Sequence, residues 1–296
     1  MTKTDRILQA VQELSRDFTG QLGFGFYDFT TGEQCYLREN QPMPTASVFK
    51  IFLLAELMRQ DQEGLLSLAD RIEVTPESAS PGSGILSKFA HRVDLSVHDA
   101  AVLMMALSDN TATDRLFALA GRDNIKKNIL EPLGLAQTKV DFDCTTLIRQ
   151  FYRDPVTDEK IGGYNNAWFR CETALSDCTS PRDMITMLRA LRDGTLLGRE
   201  ASDRMLAIMK PIPARARIGK YLPTGVEVFR KTGTLTFGLC NDAGIVRGPK
   251  GDYAIMIFYN GNLGTREEYD SPLLGVRCDE LLARISKAVW DIYIEE

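Results

Sequence analysis

The sequence runs to 296 residues, 44% of them hydrophobic, with a formal net charge of -5 at neutral pH. That length and apolar content supply a sizeable core for one large domain or two closely packed ones. Lysines and arginines are scattered among acids rather than gathered into basic runs, which argues against nucleic acid as a partner and for a small-molecule or peptide-like substrate. The most apolar run, Ile51 to Leu57, is broken by Glu56 and is far shorter than the roughly 18 residues that cross a bilayer, so no membrane partner is expected.

Met1 to Asp17 predicts an amphipathic helix with Ile7, Leu8, Val11 and Leu14 on one stripe. It lacks a hydrophobic signal core, so a cytoplasmic location is expected unless an export signal has been removed. Leu22 to Phe29 and Glu33 to Arg38 are strand-like runs around a Thr30-Thr31-Gly32 turn and predict an antiparallel hairpin. From Val48 to about Leu197 the spacing turns helical, in Phe49 to Leu57, Val97 to Leu107, Ala112 to Ala120 and Pro181 to Leu191. Strand signals return in Val226 to Arg230, Cys240 to Val246 and Tyr253 to Tyr259, before a last helix through Leu281, Ile285, Val289 and Ile292.

That order predicts an α+β fold: an antiparallel sheet of about five strands, flanked by N- and C-terminal helices, with an all-helical region inserted. The expected division is a discontinuous sheet domain, 1–47 and 198–296, and a helical domain, 48–197, with a ligand cleft between them. Within the helical part, 142–178 is the least regular stretch and predicts an extended loop.

The six cysteines are widely spread. Free thiols in a reducing compartment are the expectation, with a Cys171–Cys178 disulfide or a metal site as the alternatives; no cofactor or metal is called for.

Ser47-Val48-Phe49-Lys50 places a hydroxyl and an amine one helical turn apart. A buried Lys50 deprotonated by desolvation could take the proton of Ser47. Taken alone, the pattern equally describes a serine capping a helix. Ser108-Asp109-Asn110 closes the Val97 to Leu107 helix, and Lys231-Thr232-Gly233 sits on a strand-like segment; each is a common turn or strand end by itself. Their order is the signal, because it matches the S-x-x-K, S-D-N and K-T-G set of penicillin-recognising serine enzymes.

On these motifs, and on the flanking Pro44-Thr45-Ala46-Ser47 and Leu107-Ser108-Asp109-Asn110-Thr111-Ala112-Thr113, the sequence resembles the class A beta-lactamases and their wider family along nearly the whole chain. The resemblance implies Ser47 as acylated nucleophile, Lys50 as base or proton relay and Ser108 as proton shuttle to the leaving nitrogen. It implies that Asn110 binds a substrate amide, that Lys231 and Thr232 bind a carboxylate, and that the backbone N–H groups of Ser47 and Thr234 form the oxyanion hole beside Gly233. A Ser-His-Asp triad is disfavoured, since no Gly-x-Ser-x-Gly elbow is present and His91 and His98 sit at the polar beginning of one helix.

The resemblance breaks at the segment that supplies the deacylating glutamate. Thr138 to Cys144 stands there, with Cys144 at the glutamate position and Ile148 where an asparagine helps hold the water. Glu172 or Asp143 could fold back as a replacement base. The expected activities are therefore opening of a lactam, ester or amide through acyl-Ser47, with a sensor that acylates without turnover and a serine-dependent amidase as alternatives.

Overall fold

The computed structural model describes residues 1–151, 176–210, 216–235, 238–261, 265–269 and 271–295. Helix α1 (Lys3–Leu14) begins with a capping box, the Thr2 hydroxyl accepting from Asp5 N while the Asp5 carboxylate accepts from Thr2 N. Strands β1 (Gln21–Asp28) and β2 (Gln34–Leu37) form the expected hairpin, and β3 (Met43–Pro44) leads into a 3₁₀ turn, Ala46–Phe49. Helix α2 (Lys50–Gln62) follows, buried on every side from Lys50 to Met58.

The helical section continues through a small ribbon, β4 (Arg71–Val74) with β5 (Val93–Ser96), and helices α3 (Val97–Ala106), α4 (Asn110–Ala120) and α5 (Arg122–Ile125). The stretch expected to be irregular opens with a helix, α6 (Cys144–Phe151). Two acids hold its start: Asp143 accepts from Thr146 N, and Asp114 accepts from Cys144 N and Thr145 N. Strand β6 (Cys178–Thr179) pairs with β3, and α7 (Pro181–Asp193) and α8 (Arg199–Met209) complete this section.

Strands β7 (Glu227–Leu235), β8 (Leu239–Gly248) and β9 (Gly251–Asn260) then return, followed by the short α9 (Arg266–Tyr269) and the long α10 (Leu274–Glu295). The sheet is five-stranded and antiparallel in the order β2-β1-β9-β8-β7, so strands from both ends of the sequence share it and the fold is α+β.

Side chains alternate along β9. Ala254, Met256 and Phe258 face the core shared with α2, α3, α4, α7 and α8, whereas Tyr253, Ile255, Ile257 and Tyr259 face the core shared with α1 and α10. The sheet is thus a middle layer, and its face toward α2 is what carries the motifs. Among the described residues no helix is long and apolar enough to cross a membrane.

Asp177 ties the segment before α6 to the segment before the nucleophile turn. Its carboxylate accepts from Asp141 N at 2.8 Å and Phe142 N at 3.2 Å, and its carbonyl accepts from Thr45 N at 2.9 Å. Burial pushes its pKa up to about 8, partly offset by those two N–H donors.

Candidate active site

Ser47 lies in the first turn leading into α2, and β7 packs directly against it. A Cβ added at Gly233 would come within 2.5 Å of the Thr45 carbonyl oxygen and 3.1 Å of the Ala46 Cβ, so only glycine permits this approach. Asn241 on β8 adds a bond from Nδ2 to the Pro44 carbonyl at 2.7 Å. Ala46 itself holds a φ of 46°, a left-handed conformation that costs a non-glycine residue about 1–3 kcal/mol. The turn carrying Ser47 is therefore held against two adjacent sheet strands.

Two buried amines meet at one hydroxyl. Lys50 Nζ donates to Ser108 Oγ at 3.1 Å, to the Ser108 carbonyl at 3.0 Å and to Asn110 Oδ1 at 3.0 Å. Lys231 Nζ reaches the same Ser108 Oγ at 3.1 Å and the Thr232 carbonyl at 2.8 Å. Burial lowers the pKa of Lys50, opposed by the nearby Cys144, Asp114 and Asp109. Burial and the neighbouring Lys50 charge hold Lys231 well below the usual lysine range. The pair is set up to release a proton from one amine more readily than an exposed lysine would.

The Ser108 corner is built by helix ends. Ser108 has a φ of 55°, and Asp109 caps α4 through Ala112 N while also accepting from Ile85 N and Leu86 N. The cap draws Ser80 to Gly84 across the cleft: Ser83 Oγ donates to the Ser108 carbonyl at 2.9 Å, and Asn110 Nδ2 donates to the Pro81 carbonyl at 2.8 Å. Gly82 sits on Asn110 and Ile148, where a Cβ would lie 2.7 Å and 2.8 Å from their side chains. Among the described residues, Asn110 Nδ2 donates to one acceptor, the Pro81 carbonyl.

Cys144, the first residue of α6, is buried in the neighbourhood of Lys50. Burial pushes its pKa up to about 12, which leaves it a neutral thiol at physiological pH. Asp114 accepts from Cys144 N at 2.7 Å and, through its other oxygen, from Ser80 Oγ and Thr145 Oγ1, both at 2.7 Å. Both oxygens of Asp114 are thus committed to structure, as is the carboxylate of Asp143 at the α6 cap.

On the far wall, Arg217 joins the set. Its guanidinium donates to Thr234 Oγ1 at 2.6 Å, to the Gly233 carbonyl at 2.7 Å and to the Asn241 carbonyl at 2.6 Å, with Nε on Asp279 at 2.7 Å. Sequence reasoning missed it, because its backbone φ of 42° has no signature in a non-glycine residue. Asp114 was legible in principle: it stands four residues after Asn110, one turn along the same helix face.

The structure therefore joins Lys50, Ser108, Asn110, Lys231 and Thr232 in one hydrogen-bonded cluster, and packs Gly233, beside Thr234 on β7, against the turn that carries Ser47. Glu172 lies outside the described residues. His91 and His98 are exposed, and the His98 side chain pairs with Asp99. Among the described residues no group of three His, Cys, Asp or Glu side chains could hold a metal ion.

The profile of the beta-lactamase enzyme family matches residues 6–293. The chain belongs to that family. Among its relatives, a beta-lactamase of Bacillus licheniformis is 25% identical over 278 residues, 94% of this chain and 80% of that one. An imipenem-hydrolyzing beta-lactamase of Enterobacter cloacae is 24% identical over 246 residues, 81% of this chain and 76% of that one. The beta-lactamase regulatory protein BlaB of Streptomyces cacaoi is 31% identical over 105 residues, which is 35% of this chain and 34% of that one. Among solved structures, PBP-A superposes with a TM-score of 0.79 at 22% identity over 99% of this chain and 97% of that one. A beta-lactamase from Chitinophaga pinensis DSM 2588 gives 0.76 at 25% over 96% and 98%. The family membership makes a hydrolase of the serine beta-lactamase type the general class.

Proposed function

We propose that this chain is a serine acyl-transfer hydrolase that opens a lactam, ester or amide carrying a carboxylate, through an acyl-Ser47 intermediate that it hydrolyses slowly. The observation that carries this reading is the meeting of Lys50 and Lys231 on Ser108 Oγ, each at 3.1 Å, beside the turn that bears Ser47. Neutral Lys50 takes the hydroxyl proton as Ser47 Oγ bonds to the carbonyl carbon. The oxyanion is held by the N–H groups of Ser47 and Thr234, and the proton returns through Ser108 to the leaving heteroatom as its bond to carbon breaks. Lys231, Thr232 and Arg217 supply the positive wall for a substrate carboxylate, and Asn110 Nδ2 binds its amide oxygen.

Deacylation is the slow step because a neutral thiol stands where a carboxylate would activate water. Lys50 is left as the base for that water. The partial likeness to BlaB, described as a beta-lactamase regulatory protein, favours a second reading in which acyl-Ser47 persists and serves as a signal.

Intact-mass spectrometry with penicillin G and a chromogenic lactam tests the assignment. A covalent adduct mapped to Ser47 is expected, with Ser47→Ala folded but neither labelled nor active. Undiminished turnover in Ser47→Ala would refute it.

A further inference from the structure

A hydroxyl outside the three motifs reaches the atoms that hold Lys50. The segment from Ser80 to Ile85 runs beside Ser108 and Asn110 and is tied at both ends by acids. Asp114 accepts from Ser80 Oγ at 2.7 Å, and Asp109 accepts from Ile85 N at 2.7 Å. Between those ties Ser83 is bonded through its backbone and its side chain. Its carbonyl accepts from Asn110 N at 2.9 Å, and its hydroxyl donates to the Ser108 carbonyl at 2.9 Å. The glycines on either side permit this path: Gly82 and Gly84 hold φ values of 93° and 113°, and a Cβ on Gly84 would collide with the Asp109 carboxylate. The Ser83 hydroxyl is thus aimed by its surroundings, although the residue lies at the surface.

The Ser108 carbonyl that accepts from Ser83 also accepts from Lys50 Nζ, at 3.0 Å. Asn110 Oδ1, a second acceptor for Lys50 at 3.0 Å, lies 3.4 Å from Ser83 Oγ. Hydroxyl and amine therefore draw on the same oxygens. A lysine ammonium has three N–H donors, matching Ser108 Oγ, the Ser108 carbonyl and Asn110 Oδ1, whereas the neutral amine has two and a lone pair. These acceptors favour the charged form. A carbonyl shared between two donors holds each less firmly, the converse of the strengthening of about 10–30% per bond along a chain of donors and acceptors.

We propose that Ser83 is a positioning residue for acyl transfer: its hydroxyl competes with Lys50 for the Ser108 carbonyl and so keeps the amine free to take the proton of Ser47. The role in acyl transfer rests on Lys50 as the base in the function proposed above; the competition for the carbonyl does not. The other charged and titratable groups about Lys50 come from three elements. Lys231 on β7 disfavours the ammonium, whereas Cys144 on α6 and Asp114 and Asp109 of α4 and its cap oppose the effect of burial. Among the described residues, Ser83 is the side chain besides Lys50 that bonds to the Ser108 carbonyl.

The test uses the full chain, isotopically labelled at lysine Cε and titrated by NMR, with the Lys50 signal identified by its loss in Lys50→Arg. Ser83→Ala should raise the Lys50 midpoint by about half a pH unit, and Ser83→Thr, which keeps the hydroxyl, should leave it at the wild-type value. Acylation by penicillin G, read as adduct mass over the same pH range, should follow the midpoint. It should be about threefold slower in Ser83→Ala on the acid side and equal to wild type on the alkaline plateau. A purely structural role would lower the plateau and leave the midpoint in place, and that result would overturn the proposal. A Lys50 midpoint unmoved in folded Ser83→Ala would overturn it too. A midpoint that moves while acylation ignores it would remove Lys50 as base, and the acyl-transfer role of Ser83 with it, while supporting the competition for the carbonyl.

Discussion

Cys144→Glu places a carboxylate in the neighbourhood of Lys50, and it tests the account of slow deacylation most directly. A positioned general base contributes about 10²- to 10⁴-fold, or about 3–5 kcal/mol of barrier. Two features of the site decide where in that range the variant falls. Lys50 is adjacent and, when protonated, stabilises the new carboxylate. Asp114 is also adjacent, its oxygen 2.7 Å from Cys144 N, and repels it. Taking about 6 Å and an effective permittivity of about 20, each of these interactions is about 3 kcal/mol, so they nearly cancel.

The new carboxylate also sits at the N-terminus of α6, which favours it by about 0.3–1 kcal/mol. Loss of acyl-enzyme should therefore accelerate by about 10²-fold in Cys144→Glu, and approach 10⁴-fold when Asp114→Asn removes the repulsion. The assay is decay of the acyl-Ser47 mass after a penicillin G pulse, alongside the burst amplitude with a chromogenic lactam, which should shrink as decay speeds up. A folded Cys144→Glu protein whose acyl-enzyme decays at the wild-type rate would refute the reasoning.

Lys50→Ala should slow acylation by about 10²- to 10⁴-fold, read by stopped-flow labelling. Because burial lowers the Lys50 pKa, wild-type acylation should rise with pH and level off below the range of an ordinary lysine, and a profile that climbs only at the usual lysine pKa would count against Lys50 as base. Gly233→Ala should lower stability by about 1–3 kcal/mol and slow acylation, since the methyl group meets the Thr45 carbonyl; urea melts and labelling rates check both. Asp177, whose pKa rises from 3.8 to about 8 on folding, holds a proton that the unfolded chain has lost between those values. Its contribution is complete below pH 4 and lost as pH rises through 8, at up to about 1.4 kcal/mol per pH unit. Asp177→Asn should flatten that part of the stability profile in thermal melts.

Much of this molecule was legible in its sequence, for identifiable reasons. The terminal helices and the strands of both ends carry strong periodicity, and β9 buries alternate residues on two different cores. The three motifs were legible because their order could be weighed together, although each is ambiguous alone. The ladders of β3 with β6 are two residues long, too short to leave a pattern. The helix at Cys144–Phe151 was hidden because what starts it is partly non-local: Asp114, thirty positions earlier, accepts from its first N–H. Arg217 gave no sign because its role depends on a strained backbone and on carbonyls from two strands.

The interleaving of the sheet has a consequence for synthesis. Strand β9 lies between β1 and β8, and Lys231 arrives on β7 long after Ser47 and Lys50 have left the ribosome. A nascent chain that ends before β7 has Ser47 and Lys50 but neither Lys231 nor the strand that packs against the turn carrying Ser47. On the proposed reading, reactivity at Ser47 is thereby withheld until β7 and β8 have been made and have paired, so a chain that stops before them gives an acylating agent nothing to capture.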